Sequence, residues 1–240
     1  MRLKCAFRTA VLPVTYNMLF LSLIKECIKS TNEQYFNSLF YYNDGANKKS
    51  KNYSFSVCLN RFVFEKEIFK IDEEVYFTIS SPDSKFFINI YNGLLKIDTF
   101  RYKDFFLDKK RINLIQERII SENTTVFKTL SPICIKDKDG DYLDIEDAKF
   151  RDGINYMADM ILKNFRGKGI KSNLYFDPIN MKKVVVKIDD DFFKRDKKKY
   201  MVNSYKGIFR LSGDIEDLNL LYQLGLSFRR NQGFGMLEVI

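Results

Sequence analysis

The sequence predicts an α+β fold of two tandem ferredoxin-like (RRM-like) domains, and two observations carry this prediction. Strand and helix patterns follow one another as strand, helix, strand, strand, helix, strand, and the same order can be found a second time. The chain has 240 residues, of which 45% are apolar, which is enough for two domains with real cores. We therefore expect residues 1–121 and 122–240 each to form an antiparallel sheet with helices packed on one face.

The first half supplies one set of elements. Apolar side chains alternate with polar or small ones where strands are predicted, and they recur at helical spacing from Tyr16 to Ile28, where Thr15 can cap a helix. In order, we predict a strand at 2–10, a helix from residue 15, strands at 53–59 and 75–79, a helix over 81–94 and a strand at 111–120.

Residues 80–94 allow two interpretations. Ser81 followed by Pro82 is typical of a helix start, and Phe87, Ile90 and Leu94 follow at helical spacing. Asn92-Gly93 is also typical of a hairpin turn. We favour the helix.

The second half repeats the order without repeating the sequence, so the duplication rests on element order alone. Pro132 interrupts the first of these strands, which suits an edge or a bulge. We predict a strand at 126–135, a helix within 145–165, strands at 173–176, 183–188 and 208–211, a short helix at 215–224 and a closing strand from Phe234.

The charge of the chain favours an anionic partner. Its 40 basic and 31 acidic residues give a net charge of +9, which fits nucleic acid or an anionic surface. Basic residues cluster where loops are predicted, and each cluster can equally be a solvated face. The clusters are Lys48, Lys49 and Lys51; residues 109–111; Arg166, Lys168 and Lys171; residues 194–199; and Arg229 with Arg230.

The absence of histidine excludes several chemistries. Ser-His-Asp and Cys-His nucleophile systems, histidine acid–base catalysis and histidine metal sites all need an imidazole. The four cysteines are widely spaced with no Cys-x-x-Cys pair, so we expect core thiols in a reducing cytoplasm rather than a metal site. The apolar run at 18–24 is too short to span a bilayer, and we expect no export signal.

The glycine-rich stretch at 225–235 has two interpretations. Glycines permit positive φ, and successive backbone N–H groups in such a turn can form an anion site to which Arg229 and Arg230 add forked donors. Gly225 can instead be a helix cap, with Gly233 and Gly235 in an ordinary turn.

The same stretch resembles the glycine-rich C-terminal signature of the CRISPR precursor-RNA-processing endoribonucleases, the sixth Cas family. Residues 232–236 (QGFGM) resemble its most recognisable string. Residues 126–133 are similar to the strand that opens the family's second domain, 23–30 to its first helix, and 53–56 to the strand after its catalytic loop. The resemblance spans nearly the whole chain.

The resemblance implies two ferredoxin-like domains and metal-independent cleavage of CRISPR repeat RNA without a cofactor. The 2′-oxygen attacks the adjacent phosphate, which leaves a cyclic phosphate and a 5′-hydroxyl. Many members pass the product to an effector complex, and some form homodimers. Among the residues expected to bind RNA, Arg166, Lys168 and Lys171 form the basic cluster whose glycines expose backbone amides beside three cations, and the resemblance adds Gly225, Ser227, Arg229, Arg230, Gln232, Gly233 and Gly235.

Two positions depart from the family's pattern. Ser227 stands where a glycine is usual, and the acid–base histidine that usually follows the first helix is missing. Lysines of the first helix and the next loop are the implied substitutes, with a tyrosine phenol as a further group. The catalytic candidates are Lys25, Tyr41, Tyr42, Lys48, Lys49 and Lys51.

Without histidine, cleavage should be slow, because ordinary lysine and tyrosine have pKa values near 10 and are poor bases near neutrality. A cleavage-dead repeat-RNA binder or effector subunit is the alternative function. A general RNA-binding module unrelated to CRISPR is the third.

Overall fold

The computed structural model describes residues 1–42, 45–47, 49–189 and 199–240. Its helices are α1 (Tyr16–Thr31), α2 (Glu33–Phe40), α3 (Ser84–Lys96), α4 (Ala148–Arg166) and α5 (Ile215–Leu224). Its strands are β1 (Arg2–Arg8), β2 (Val11–Pro13), β3 (Tyr41–Tyr42), β4 (Gly45–Ala46), β5 (Ser54–Leu59), β6 (Phe62–Glu65), β7 (Ile68–Ile71), β8 (Val75–Ser80), β9 (Thr99–Tyr102), β10 (Phe105–Ile115), β11 (Thr124–Thr129), β12 (Tyr175–Asp189), β13 (Lys199–Ser212) and β14 (Leu237–Val239). Among the helices of these ranges, none has the length and apolarity to cross a membrane.

The first sheet has the order β5-β8-β1-β10-β9, with antiparallel pairing throughout. The four strands of the ferredoxin-like unit are β1, β5, β8 and β10, and β9 is an addition at the edge. The first and third of the four, β1 and β8, lie in the centre, as expected for this fold. The α1 and α3 helices bury their apolar stripes with this sheet in one core. Phe20 of α1 stacks on Phe77 of β8 with ring centroids 5.3 Å apart.

The second sheet repeats this arrangement in the order β12-β13-β11-β14. Its core is separate from the first and is built around stacked and tilted rings from the sheet and α4: Phe127, Phe150, Phe176 and Phe209. The prediction of two tandem ferredoxin-like folds is confirmed. The division at residue 121 stays a prediction.

Helix boundaries differ from the predictions around α2 and α3. The α2 helix was not predicted; Asn32 caps it by accepting the Tyr35 N–H at 2.8 Å. Asp83, rather than Ser81, caps α3 by accepting the Phe86 N–H at 3.1 Å. The hairpin alternative is wrong, because Gly93 lies within α3, where a Cβ would come within 2.3 Å of the Cys27 carbonyl oxygen on α1.

Strand boundaries differ most where proline or a hairpin intervenes. The predicted strands at 173–176 and 183–188 are one strand, β12, whose register shifts between Pro178 and Asn180. Proline has no N–H for the ladder, so the strand bulges there instead of ending. The strand predicted at 111–120 lies at Phe105–Ile115, because it forms a hairpin with the unpredicted β9. The β6–β7 hairpin was also missed, and β11 ends at Thr129, before Pro132.

The two sheets are joined by Arg2, which is only 1% exposed. Its guanidinium donates to the Glu238 carboxylate at 2.7 Å and to the Leu237 carbonyl at 2.9 Å, and it lies 4.3 Å from the Tyr222 ring centroid. Met18 and Leu21 of α1 add a third apolar cluster with Cys134, Val202 and Phe234 of the second half. The α1 helix therefore contacts both halves of the molecule.

Candidate functional site

The first domain brings two of the predicted catalytic lysines together. Lys25 lies on α1 and Lys51 in the segment before β5, and both ammonium groups approach the Phe40 ring at the end of α2. The distances from Nζ to the ring centroid are 5.5 Å for Lys25 and 5.9 Å for Lys51. We call this arrangement the lysine pair.

Burial changes the acidity of the lysine pair. It lowers the pKa of Lys25, and it lowers the pKa of Lys51 to about 8, with the charge of Lys25 as the second cause. The ammonium group of Lys51 donates to the carbonyls of Asn47 and, at 2.7 Å, of Lys49. An amine with a pKa near 8 exchanges protons close to physiological pH, which an ordinary lysine does not.

The C-terminal loop of the second domain fixes the backbone of Lys51. The amide of Asn231 accepts the Lys51 N–H at 2.8 Å and donates to the carbonyls of Lys51 at 3.0 Å and Tyr53 at 2.6 Å. Asn164 at the end of α4 adds a bond to the Ser50 carbonyl at 2.9 Å. We call the contact of Asn231 with residues 51–53 the asparagine clamp.

Arg230 has a structural position instead of the RNA-facing one expected from the sequence. Its side chain is 2% exposed, and it donates to the Ser50 hydroxyl at 2.7 Å, to the Lys51 carbonyl at 3.2 Å and to the Leu224 carbonyl. Burial lowers the pKa of Arg230 to about 10, so the guanidinium stays charged at neutral pH. The donors of Arg230 therefore bind oxygens in both halves of the molecule, at Leu224 and at Ser50 and Lys51. This arginine joins the two domains next to the backbone of Lys51.

Arg229 lies beside Arg230 but points into a different environment. Its backbone has a φ of +61°, and its side chain is half-buried. It donates to the Tyr142 hydroxyl at 3.0 Å and to the Gln232 side-chain oxygen at 2.7 Å, and it lies 5.6 Å from the Phe228 ring. The ammonium group of Lys136 lies 4.5 Å from the Tyr142 ring. We call these residues the aromatic–basic patch: Lys136, Tyr142, Phe228, Arg229 and Gln232.

The glycines of the loop serve close packing between the domains. Gly225, Gly233 and Gly235 have φ values of +79°, +84° and +68°. A Cβ on Gly225 would come within 2.7 Å of the Ser54 side chain, and one on Gly233 within 3.0 Å of Phe55. A side chain at any of the three would be strained, and at Gly225 or Gly233 it would also push the loop away from β5.

Ser227 fits because its hydroxyl has internal partners. The side chain is 1% exposed; its oxygen accepts the Cys134 N–H at 2.9 Å and lies 2.7 Å from the Phe228 carbonyl, to which it donates. The serine thus occupies the position of the usual glycine without leaving a buried hydroxyl unsatisfied.

The cations of the Arg166–Lys171 cluster are paired with carboxylates of α5 and its cap. Arg166 contacts the buried Asp217 at 2.6 Å and Glu216 at 3.1 Å. Lys171 contacts Glu216 at 2.5 Å and Asp214 at 3.3 Å, and these bonds raise its pKa. Lys168 is exposed, and its carbonyl accepts from Arg166 at 3.1 Å. The positive charge expected here for RNA is largely balanced within the fold.

The remaining catalytic candidates lie around the lysine pair. Tyr41 is 52% exposed, and its ring meets Phe36 edge-on at 5.7 Å. Lys49 is exposed, and its N–H donates to the Asn47 side chain at 3.0 Å. Lys48 and the side chain of Tyr42 lie outside the described residues.

Several residues of the site were not predicted. Phe40, Asn231 and the aromatic members of the patch carry no motif of their own. The one available signal was the position of Asn231, directly after the two arginines in the glycine-rich stretch.

The fold and the site together define a protein of two tandem RRM-like folds, with the lysine pair in the first and the aromatic–basic patch in the second. The model of the family "CRISPR associated protein Cas6, C-terminal" matches residues 115–239, more than half of the chain. The chain therefore belongs to the Cas6 family, which removes the interpretation as an unrelated RNA-binding module.

Known proteins resemble the chain over nearly its full length. It is 26% identical over 252 residues to CRISPR-associated endoribonuclease Cas6 1 of Methanocaldococcus jannaschii, with 99% of this chain and 92% of that one covered. A solved Cas6-related protein from Pyrococcus furiosus has a TM-score of 0.83 at 21% identity, with 100% and 98% covered. A solved RAMP protein described as binding different RNA substrates has a TM-score of 0.81 at 20% identity, with 100% and 99% covered.

Proposed function

We propose that this protein binds CRISPR repeat RNA and cleaves it as a metal-independent endoribonuclease. Family membership supports the substrate class, as do relatives named as an endoribonuclease and as an RNA-binding protein. The observation that carries the proposed chemistry is the lysine pair, in which Lys51 has a pKa of about 8.

The reaction breaks one phosphodiester bond by internal attack. The 2′-oxygen loses its proton and bonds to the adjacent phosphorus while the bond from phosphorus to the 5′-oxygen breaks. The leaving oxygen takes up a proton, and the products are a cyclic phosphate and a 5′-hydroxyl. No outside reactant is needed.

Lys51 is the proposed general acid for the leaving oxygen. With a pKa of about 8, its ammonium form prevails at neutral pH and still releases a proton more readily than an ordinary lysine. Lys25 lies across the Phe40 ring, and its charge would stabilise the pentavalent phosphate. Lys48 and Lys49 would add to that field, and Tyr41 and Tyr42 are the candidate phenols for the proton of the 2′-hydroxyl.

The rate should be low. A well-placed acid–base group contributes about 10²–10⁴-fold, and the site has no imidazole for this purpose. Slow, single-turnover-like cleavage suits an enzyme that keeps its product and hands it to an effector complex. The cleaved RNA would accordingly stay bound to the protein until an effector complex receives it.

The aromatic–basic patch is the proposed RNA contact of the second domain. Arg229 and Lys136 would bind phosphates, and Phe228 and Tyr142 offer rings on which unpaired bases can stack. Lys168 would add an exposed cation. The loop glycines let this part of the chain lie against the first domain.

The direct test is incubation of the purified protein with end-labelled repeat RNA in EDTA. We expect a shorter product carrying a cyclic phosphate, and none from an RNA with a 2′-deoxy nucleotide at the cleavage position. No product at any excess of protein would overturn the enzymatic proposal.

A cleavage-dead repeat-RNA binder is the second candidate function, favoured by the absence of histidine. It predicts tight binding of repeat RNA without cutting, and weaker binding of a scrambled sequence. Any cyclic-phosphate product in the same assay would exclude it.

A further inference from the structure

The β6–β7 hairpin leaves an apolar strand at the edge of a small sheet. β2, β7 and β6 form a three-stranded sheet in this order, so β6 is at its edge. Phe62, Val63 and Phe64 of β6 are 46%, 51% and 54% exposed. Proteins usually protect edge strands with charge, proline or a bulge, because an open edge can pair with another strand. This edge presents consecutive apolar side chains instead.

The hairpin is held firmly to the first domain. Lys66 and Glu67 form its two-residue turn with φ values of +45° and +74°, as a type I′ turn requires. The Glu67 carbonyl accepts the Val14 N–H at 2.8 Å, and the Ala10 carbonyl accepts the Ile71 N–H at 2.9 Å. The edge strand is therefore presented in a fixed position.

Turn geometry determines which backbone groups of β6 face outward. Glu65 pairs with Ile68 across the turn, and Val63 pairs with Lys70. In a two-residue hairpin these are the hydrogen-bonded pairs. Arg61, the next residue in this alternation, also bonds toward β7, because its carbonyl accepts the Asp72 N–H at 3.1 Å. The N–H and C=O groups of Phe62 and Phe64 consequently point away from β7, and within the described ranges β6 pairs with no other strand.

The sequence of this edge is complementary to itself. If a second copy of β6 pairs antiparallel about Val63, Phe62 lies opposite Phe64 of the other copy, where both have outward backbone groups. Arg61 then lies opposite Glu65 of the other copy. Arg61 is 76% exposed and Glu65 49%, and their present partners, Glu73 and Lys70, are surface residues. A one-residue shift of the register would lose both the charge match and the hydrogen-bonding pairs.

We propose that β6 is a dimerisation edge, at which two copies of this chain pair antiparallel about Val63 into one six-stranded sheet. The two Val63 side chains form a non-hydrogen-bonded pair, flanked by Arg61–Glu65 pairs on one face. The Phe62 and Phe64 side chains of both copies lie on the other face, beside Phe69, whose ring is 5.1 Å from Phe62 and 5.0 Å from Phe64.

Sedimentation equilibrium of the full chain over a wide concentration range tests the proposal. We expect a monomer–dimer equilibrium in which Val63→Lys raises the dissociation constant at least about tenfold, because two lysines would lie opposite each other. Ile119→Lys, at a side chain 88% exposed elsewhere, is the matched control and should leave the equilibrium unchanged. A wild-type chain that stays monomeric, or a dimer that Val63→Lys does not weaken, would overturn the proposal.

Two further experiments test the register. Arg61→Glu and Glu65→Arg should each prevent self-association, and an equimolar mixture of the two variants should restore a dimer, now between unlike chains. In a Cys58→Ser background, Val63→Cys should form an intermolecular disulfide on mild oxidation, because non-hydrogen-bonded pairs bring Cα atoms to about 4.5 Å. Ile119→Cys in the same background should not. Failure of the mixture to associate would exclude this register.

Discussion

The Lys48–Lys51 and Arg166–Lys171 clusters each have three basic residues in the sequence, but Lys51 and Lys171 have opposite surroundings in the structure. Lys51 lies among carbonyl oxygens, a phenylalanine ring and a second lysine, and its pKa is lowered to about 8. Lys171 lies against two carboxylates, and its pKa is raised. The difference shows that lysines of similar basic runs can have opposite pKa shifts, caused by burial for Lys51 and by carboxylate partners for Lys171.

Among the substitutions that test this comparison, replacing Lys51 should have the largest effect on the cleavage rate. We expect Lys51→Met to slow single-turnover cleavage by about 10²–10⁴-fold, because the proposed general acid is lost, while RNA affinity changes little. Lys171→Met is the matched control and should leave the rate nearly unchanged. Equal losses in both variants would mean that Lys51 contributes only net charge.

Loss of the asparagine clamp should have the next largest effect. We expect Asn231→Ala to slow cleavage about 10- to 100-fold, because Lys51 would lose its fixed backbone position, and to lower the free energy of unfolding by about 1–3 kcal/mol. Cleavage kinetics and denaturant unfolding measure the two effects.

Asn219→Ala is the control for the clamp. Asn219 likewise accepts one backbone N–H, from Ile120, and donates to two carbonyls, but its partners are Ile120 and Ile215 rather than Lys51. It should cost similar stability and leave the cleavage rate of the folded protein intact. If Asn219→Ala slows cleavage as much as Asn231→Ala does, the asparagine clamp affects the rate only through stability.

The cleavage rate and the stability should depend on pH in different ways through Lys51 and through Lys171. If Lys51 is the acid, the cleavage rate falls as pH rises through about 8, and in Lys51→Arg this inflection disappears. Its effect on stability has the opposite direction. The folded state binds fewer protons than the unfolded state between about pH 8 and the ordinary lysine value of 10.5, so the destabilising effect of the buried charge is relieved as pH rises through this window.

Lys171 should behave in the reverse sense. Its folded pKa is raised, so its ion pairs stabilise the protein below pH 10.5, and this contribution is lost as pH rises through the folded pKa. Denaturant unfolding of Lys51→Met and Lys171→Met at several pH values would test this difference in stability, and the cleavage rate of the wild type against pH would test the role of Lys51 as the acid. A wild-type profile without an inflection near 8 would count against Lys51 as the acid.

Replacing Arg229 should have the smallest effect. We expect Arg229→Ala to weaken repeat-RNA binding roughly tenfold, the equivalent of one charge-assisted hydrogen bond, and to reduce the slope of log affinity against log salt by about 1. Arg166→Ala should leave the slope unchanged, because Asp217 and Glu216 already balance its charge. Identical slopes in wild type and Arg229→Ala would place Arg229 outside the RNA contact.

The loop arginines show how far sequence could locate the site. The glycine-rich string at 225–235 carried the resemblance to the family, and the match of the family model confirms that membership. It gave Arg229 and Arg230 the same function, although one is half-buried beside aromatic rings and the other is 2% exposed between the domains. Adjacent residues in a turn point in different directions, and the pattern of the sequence does not record which of them faces the other domain.

Sequence alone determined the fold class and the exclusion of histidine chemistry, because hydrophobic periodicity and residue identity are local properties of the chain. Only the tertiary structure decided which basic residues come together, as Lys25 and Lys51 do at the Phe40 ring. The pKa of Lys51 depends on burial and on Lys25, and its backbone is fixed by Asn231, 180 residues away along the chain. Burial and such distant contacts depend on the three-dimensional surroundings of each side chain, which the local pattern of the sequence does not specify.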